Sequence, residues 1–250
     1  MCVEGGLTYL MASNKMAAVQ LTAIDKNESY SQKVYIQLKQ LILTNQIKSG
    51  QILNERELAD QLAVSRTPIR DALKMLEQEG WVVKEGKFKV VRLLTWKSVQ
   101  DLIEIRRPLE VMSYQLACKK ITDEDIEALS QICDEMKAIG QQGDDAYYEA
   151  MAADIEFHIQ IARITRNEKV IRMMSDLGDE LIRTAVLSVM YGDLDVDRYR
   201  FNHDRLLEHI KNRNFDVGLE ELNKHISTWE GHLEKVPLSL RIHEEKNLIL

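Results

Sequence analysis

The feature that most constrains this chain is a run of about 60 residues in which three helix patterns are followed directly by a β-hairpin pattern. Apolar residues recur at helical spacing within residues 31–46. Asn54 and Ser65 are N-cap residue types at the start of two further helices, and residues 63–64 form a short turn between those helices. Two β-rich runs within residues 81–93 are joined by a glycine-containing turn. This order of elements predicts a winged helix-turn-helix.

The side chains of this segment indicate that it reads DNA. The first turn and a half of the third helix carries Arg66, Thr67 and Arg70, and helix N-termini favour phosphates through their free N–H groups. Arginines at this position of a recognition helix enter the major groove and bond bidentately to guanine. The other predicted DNA-contacting residues are Arg56 on the preceding helix, Gly86 at the wing tip, and the wing lysines Lys84, Lys87 and Lys89.

Charge is distributed unevenly along the 250 residues, whose net charge is −7. Residues 31–93 carry 11 basic and 7 acidic side chains, whereas residues 94–250 carry 20 basic and 30 acidic ones. A basic module joined to an acidic one fits DNA binding at one end of the chain. No apolar run reaches the roughly 18 residues of a membrane span, so no membrane partner is expected. The cysteines Cys2, Cys118 and Cys133 lack metal or disulfide spacing, which favours a cytoplasmic protein.

Everything from Thr95 to about residue 235 has helical periodicity. The chain is therefore predicted to be mainly α, with a winged helix of three helices and a β-hairpin, then an all-α antiparallel helical bundle acting as an effector domain. The predicted boundaries are a disordered leader at 1–29, the DNA-binding domain at 30–93, the effector and dimerisation domain at 94–237, and a tail at 238–250.

A specific resemblance covers roughly residues 31–93. The segment LNERELADQLAVSRTPIRDALKMLEQEGWVV resembles the winged helix of the GntR superfamily of bacterial regulators. Glu85 departs from the pattern, because a neutral or basic residue would suit DNA better at the wing tip. The resemblance implies DNA contacts at Arg56, Arg66 and Arg70. It also implies that Ser65 and Thr67 contact the DNA backbone and that Gly86 lies at the wing tip.

Four side chains of the helical part have spacing that suits a metal. Asp154 and His158 are i and i+4 on one helix, so they project from the same face. His203 lies about ten residues before a turn and His225 about eleven residues after it. In two antiparallel helices joined by that turn, the two imidazoles lie at similar height. One carboxylate and three histidines suit a divalent Zn, Ni, Mn or Fe ion. The alternative is a chance alignment of ordinary helix histidines.

The helical part also resembles the FCD effector domain of FadR-like regulators over about residues 96–235. The matching segments are ADIEFHIQIARITRNEKV and NHDRLLEHIKNRNFDVGLEELNKHI. Arg106 matches an arginine that the family often has on the first helix of the domain, which implies that it binds a carboxylate effector. An ion pair with Glu104 or Glu110 is the alternative for Arg106. The resemblance implies metal ligands at Asp154, His158, His203 and His225.

These features together predict a cytoplasmic one-component transcription regulator. Two winged helices that read a palindromic operator on double-stranded DNA require a two-fold symmetric homodimer. The expected effector is a small organic acid bound at the metal, and the expected activity is repression that the ligand releases, with activation left open. The alternatives are a metal sensor whose ion is the effector, a metal-dependent enzyme, and an effector domain that uses no metal.

Overall fold

The computed structural model describes residues 29–140, 146–191 and 196–233. They fall into two compact units. One contains the described residues up to Lys39 together with Gly50–Arg92, and the other contains Gln40–Ser49 and the described residues from Leu93 onward. The predicted leader (apart from Ser29) and the predicted tail lie outside the described residues.

The smaller unit has the predicted order of three helices and a hairpin. The strands pair antiparallel with Val82 opposite Val91 and Glu85 opposite Phe88, which leaves a two-residue loop. Its elements are α1 (Tyr30–Leu43), whose last residues belong to the larger unit, α2 (Glu55–Leu62), α3 (Arg66–Gln78), β1 (Val82–Glu85) and β2 (Phe88–Val91).

The core of the smaller unit includes one apolar face of α2 and one of α3. Ile69, Leu73 and Leu76 of α3 are at i, i+4 and i+7 and are completely buried, as their spacing predicts. Leu58 and Leu62 of α2 are buried as well. This packing leaves the opposite face of α3 to solvent, which is the face that carries the arginines.

The described residues of the larger unit form helices joined by turns and loops, with no strand among them, which confirms the mainly α fold. Contacts join α6 to α4, α5 and α7, and join α9 to α4, α7 and α8. No helix in the described ranges combines the length and the apolar character needed to cross a membrane. The helices are α4 (Trp96–Ala117), α5 (Asp123–Gly140), α6 (Tyr147–Ile164), α7 (Glu168–Tyr191), α8 (Val196–Lys211) and α9 (Phe215–Leu233).

Polar side chains fix where two of these helices begin. Thr95 caps α4 by accepting from the Ser98 N–H at 3.1 Å, and Ser98 Oγ accepts from the Thr95 N–H at 3.0 Å. Before α5, the Thr122 N–H donates to Asp125 and the Asp125 N–H donates to the Thr122 hydroxyl. Each reciprocal pair satisfies backbone donors that a helix start would otherwise leave unpaired.

An arginine fork joins α4 to α9. Arg107 donates through Nη1 to Asn223 Oδ1 at 3.1 Å. Its Nη2 donates to Ser227 Oγ at 2.9 Å and to Glu230 Oε2 at 2.6 Å. These bonds tie α4 to α9 along their shared length.

The connection after α1 packs into the larger unit through one serine. Ser49 Oγ accepts from the buried Arg183 of α7 at 2.8 Å and from the Leu94 N–H at 3.4 Å. A buried guanidinium needs polar partners, so the serine stabilises Arg183 in the interior. This contact explains why Gln40–Ser49 belong to the helical unit.

Close packing between α4 and α9 requires a glycine at position 218. A Cβ built there would lie 2.0 Å from the Tyr114 hydroxyl oxygen, and the Tyr114 side chain is buried. We expect Gly218→Ala to lower the free energy of unfolding by about 1–3 kcal/mol, because the rigid ring has to move. Gly231→Ala on the same helix is the matched control, since a Cβ there meets nothing within 4 Å. Denaturant melts that gave equal stability for both variants would contradict this account.

Candidate functional sites

The helix-turn-helix is formed by local features that its sequence encodes. Asn54 caps α2, accepting from the Arg56 N–H at 2.9 Å and the Glu57 N–H at 3.4 Å. Ala63 ends α2 in the left-handed region at φ 52°, which turns the chain toward α3. Ser65 takes the N-cap position of α3, but its side chain makes no capping hydrogen bond. Ser65 is therefore the N-cap residue, as predicted, but without the side-chain hydrogen bond that this residue type commonly makes.

The two arginines predicted to read bases project from the first turns of α3. The side chains of Arg66 and Arg70 are 61% and 62% exposed, so both are available to a partner. Glu55, at the start of α2, lies 3.5 Å from Arg66 Nη2 and 3.2 Å from Arg70 Nη2. One carboxylate thus holds both guanidinium groups close together. Sequence reasoning missed Glu55, because its partners are 11 and 15 residues away along the chain.

The remaining predicted DNA contacts of the helix-turn-helix are also exposed. Arg56 lies in the first turn of α2, and Ser65 and Thr67 lie at the start of α3. Exposed donors at two neighbouring helix N-termini form a surface that suits phosphate oxygens.

The wing has the tight loop that the sequence predicts. Gly86 has φ +59°, a left-handed conformation that favours glycine in a two-residue hairpin loop. Lys87 follows it at the tip, with its ammonium 5.3 Å from the centre of the Phe88 ring. Lys84 and Lys89 are cross-strand neighbours, and Lys89 forms an ion pair with Glu77 of α3 at 3.0 Å. The wing tip therefore exposes backbone and the positive charge of Lys87, beside the negative charge of Glu85.

In the helical unit, the four predicted metal ligands come together. Asp154 and His158 project from α6, His203 from α8 and His225 from α9, and each is at most 3% exposed. One ligand atom from each residue lies within 4.8 Å of the other three. The Nε2 atom of His158 is 3.1 Å from that of His225 and 3.4 Å from that of His203.

These donors fit a bound divalent cation. Two nitrogens at about 2.1 Å from one metal ion lie about 3.0–3.4 Å apart at octahedral or tetrahedral angles, which is the spacing of the histidine pairs. Asp154 Oδ1 lies 3.0 Å from His203 Nε2 and 3.7 Å from His225 Nε2. That oxygen is buried and accepts no hydrogen bond. A common cation would satisfy converging lone pairs that otherwise repel one another.

Burial and electrostatics favour the metal-binding forms of two of the donors, His225 and Asp154. Burial lowers the pKa of His225 well below its ordinary value, and electrostatic interactions with His203, His158 and Arg106 lower it further. Burial acts to raise the pKa of Asp154, but the neighbouring His203, His158 and Arg106 outweigh it, so the pKa is lowered. A neutral imidazole and an ionised carboxylate are the forms that ligate transition metals.

Arg106 and Glu110 of α4 lie beside the cluster. Arg106 Nε donates to Glu110 Oε1 at 2.5 Å, so the ion pair with Glu110 that we considered is present. The guanidinium also stacks on Trp229 of α9, with 4.3 Å from its carbon to the ring centre. Glu110 Oε2 lies 2.9 Å from His158 Nδ1. Burial acts to raise the pKa of Glu110, but Arg106 and His158 outweigh it and hold the pKa well below its ordinary range.

Comparisons with known proteins agree for both units. The model of "Bacterial regulatory proteins, gntR family" matches residues 30–87, and the model of the FCD domain matches residues 101–228. The gluconate operon transcriptional repressor of Bacillus licheniformis is 28% identical over 212 residues, covering 83% of this chain and 86% of the repressor. The regulator YdhC of Bacillus subtilis is 27% identical over 216 residues, covering 85% of this chain and 95% of YdhC. Among solved structures, McbR/YncC of E. coli has the same fold, with a TM-score of 0.68, 20% identity, and coverage of 83% and 98%.

Proposed function

The chain belongs to the GntR family of DNA-binding transcription regulators, with an FCD domain behind its winged helix, and on that premise we propose that it is a homodimeric, metal-dependent repressor. A small organic acid bound in the helical unit sets its affinity for a palindromic operator. We propose that residues 30–93 form the DNA-binding domain and residues 94–237 the effector domain, acting in the cytoplasm. The main observation behind the proposal is that four buried metal-ligand atoms converge in a chain whose N-terminal part resembles a DNA-binding module.

Operator reading is assigned to α3 and the wing. Arg66 and Arg70 reach base edges in the major groove, where their forks match guanine. Arg56, Ser65 and Thr67 contact the DNA backbone. At the wing, Gly86 approaches the minor groove and Lys87 neutralises phosphates.

Effector binding is assigned to the metal and the arginine beside it. The residues that hold the metal are Asp154, His158, His203 and His225, and the metal supplies a localised positive charge that attracts carboxylate oxygens. Arg106 is positioned by Glu110 and Trp229. Its guanidinium donates a hydrogen bond to a second oxygen of the effector carboxylate that is bound at the metal. A divalent ion and the guanidinium carry three positive charges against the two negative charges of Asp154 and Glu110, so the site retains a net positive charge that favours an anion.

The relatives support a carboxylate effector. The names of two relatives describe repressors of gluconate operons, from Bacillus licheniformis and Bacillus subtilis. Gluconate is an organic acid, which is the chemical class that a metal and an arginine would bind together. The relatives are regulators and not enzymes, which argues against catalytic use of the metal.

Control of DNA binding requires a ligand that distinguishes two states of the dimer. The effector changes operator affinity only by the difference in its own affinity for the DNA-competent and the DNA-incompetent arrangements. Repression released by ligand therefore means that the acid binds the incompetent arrangement more tightly.

The deciding experiment measures operator affinity by fluorescence anisotropy while one component is changed at a time. The metal-loaded protein is titrated with gluconate and related hydroxy acids, and then with each acid after the metal has been removed by a chelator. We expect the active acid to weaken binding by about 5–150-fold, the usual range of coupling between sites, and the metal-free protein not to respond. A change caused by the chelator alone would favour a metal sensor, whereas an undiminished response without metal would refute the metal-dependent effector site.

A further inference from the structure

We propose that Glu110 is a positioning residue for the metal site, and that it fixes His158 in the tautomer that presents Nε2 to the ion. This inference deepens the proposed function and rests on its metal site. It adds to the four ligands a carboxylate that touches no metal but determines the orientation of a residue that does.

The geometry places Glu110 on the far side of the His158 ring from the other ligands. Nε2 of His158 faces His203 and His225 at 3.4 and 3.1 Å, whereas Nδ1 faces Glu110 Oε2 at 2.9 Å. The side chains of Glu110 and His158 are 2% and 1% exposed, so water does not compete for the contact. Each ring nitrogen therefore has its own environment, one set by a carboxylate and the other by the ligand cluster.

A carboxylate beside Nδ1 discriminates between the two neutral forms of the ring. A proton on Nδ1 is attracted to the nearby oxygen, whereas a lone pair on Nδ1 would be repelled by it. The oxygen has no aligned hydrogen bond, so the preference is mainly electrostatic. With the proton held on Nδ1, the lone pair of Nε2 points into the cluster, which is the arrangement a histidine ligand needs.

Arg106 holds Glu110 in place, and α9 holds Arg106. The other carboxylate oxygen, Oε1, accepts from Arg106 Nε at 2.5 Å, and the guanidinium stacks on Trp229. Trp229 lies one turn after the ligand His225 on α9. The chain of contacts from Trp229 through Arg106 and Glu110 to His158 thus starts and ends on helices that carry ligands, which couples the orientation of the ring to the packing of α4, α6 and α9.

An ion pair that only stabilised α4 would need Arg106 and Glu110 alone. The contact with His158 is the observation that distinguishes a positioning role, because it joins residues 48 positions apart in the chain through the second oxygen of the carboxylate.

The test uses Glu110→Gln, which keeps the shape of the side chain and removes the negative charge that favours a proton on Nδ1 of His158. An amide both accepts and donates hydrogen bonds, so glutamine tolerates either tautomer of His158. The matched control is Glu230→Gln, which removes the carboxylate of the Arg107–Glu230 pair between α4 and α9 and leaves the bonds of Arg107 to Asn223 and Ser227, and the contact of Glu110 with His158, in place. Zinc affinity is measured by competition with a chromophoric chelator, and the tautomer of His158 is read from its ring ¹⁵N chemical shifts.

We expect Glu110→Gln to bind zinc about 10–100-fold more weakly, and Glu230→Gln to stay within about 3-fold of the wild type. Zinc-free wild type should carry the His158 proton on Nδ1, and zinc-free Glu110→Gln should populate both tautomers. Equal zinc affinity for Glu110→Gln and the wild type would overturn the inference while leaving the metal site intact. A wild-type proton on Nε2 would overturn it without recourse to any variant. A wild type that binds none of the four candidate metals would overturn the metal site, and this inference with it.

Discussion

Replacing Arg66 and Arg70 together with alanine is expected to abolish selective operator binding, with a loss of operator affinity between about 30-fold and 10⁴-fold. Each bidentate contact of an arginine with guanine contributes about 1–3 kcal/mol of discrimination. The two side chains lie one turn apart at the start of α3, and more than half of each is exposed. Glu55 contacts both guanidinium groups in the free protein, so binding to guanine exchanges these surface ion pairs for base contacts.

The measurement compares an operator duplex, selected by the wild type from a random library, with a scrambled duplex of the same length. Arg172→Ala is the control, because Arg172 is an exposed arginine of α7 in the helical unit. We expect the double variant to bind both duplexes with similar weak affinity, and the control to retain the preference of the wild type. If the double variant lost affinity equally for both duplexes and still preferred the operator duplex, these arginines would contact only phosphates.

Sequence predicted the smaller unit well because its fold depends on local signals. The helix at Asn54, the turn at Ala63 and the left-handed glycine at position 86 each depend on residues within a few positions of one another. Ser65 shows the limit of such reasoning, since an N-cap residue type occupies the N-cap position without making the hydrogen bond. Glu55 could not be assigned to the arginines because the pairing crosses from one helix to the next.

In the helical unit, sequence predicted which residues meet but not how they are supported. The i, i+4 spacing of Asp154 and His158, and the symmetric placement of His203 and His225, are visible in the chain and are matched by the structure. The spacing of Arg106 and Glu110 was visible as well, and an ion pair with Glu104 or Glu110 was the alternative to an effector-binding role for Arg106. The second contact of Glu110 depends on how α4 packs against α6, which no periodicity reports. Residues that orient ligands are harder to find than the ligands, because a supporting carboxylate resembles any other helix carboxylate.

The second large effect is expected at the ligands themselves. His203→Ala and His225→Ala should each reduce bound metal from about one ion per chain to below detection, which corresponds to a loss of affinity of more than about 100-fold. Removing a residue that merely orients a ligand costs about 10–100-fold, and a lost ligand bond costs more. Both histidines are about 2% exposed, so each alanine variant removes a donor from the buried interior of the cluster.

The control for these variants is His209→Ala, on the same helix as His203 but outside the ligand cluster. Metal content by elemental analysis and operator affinity with and without the active acid are measured for all four proteins. Metal loss should eliminate the response to the acid while leaving acid-free operator affinity within about 3-fold of the wild type, because the arginines of α3 are unchanged. If His225→Ala retained its metal, the ligand assignment would be wrong. If it lost both the metal and acid-free operator binding, the ion would be required for the DNA-competent arrangement, and the effector would be the metal rather than the acid.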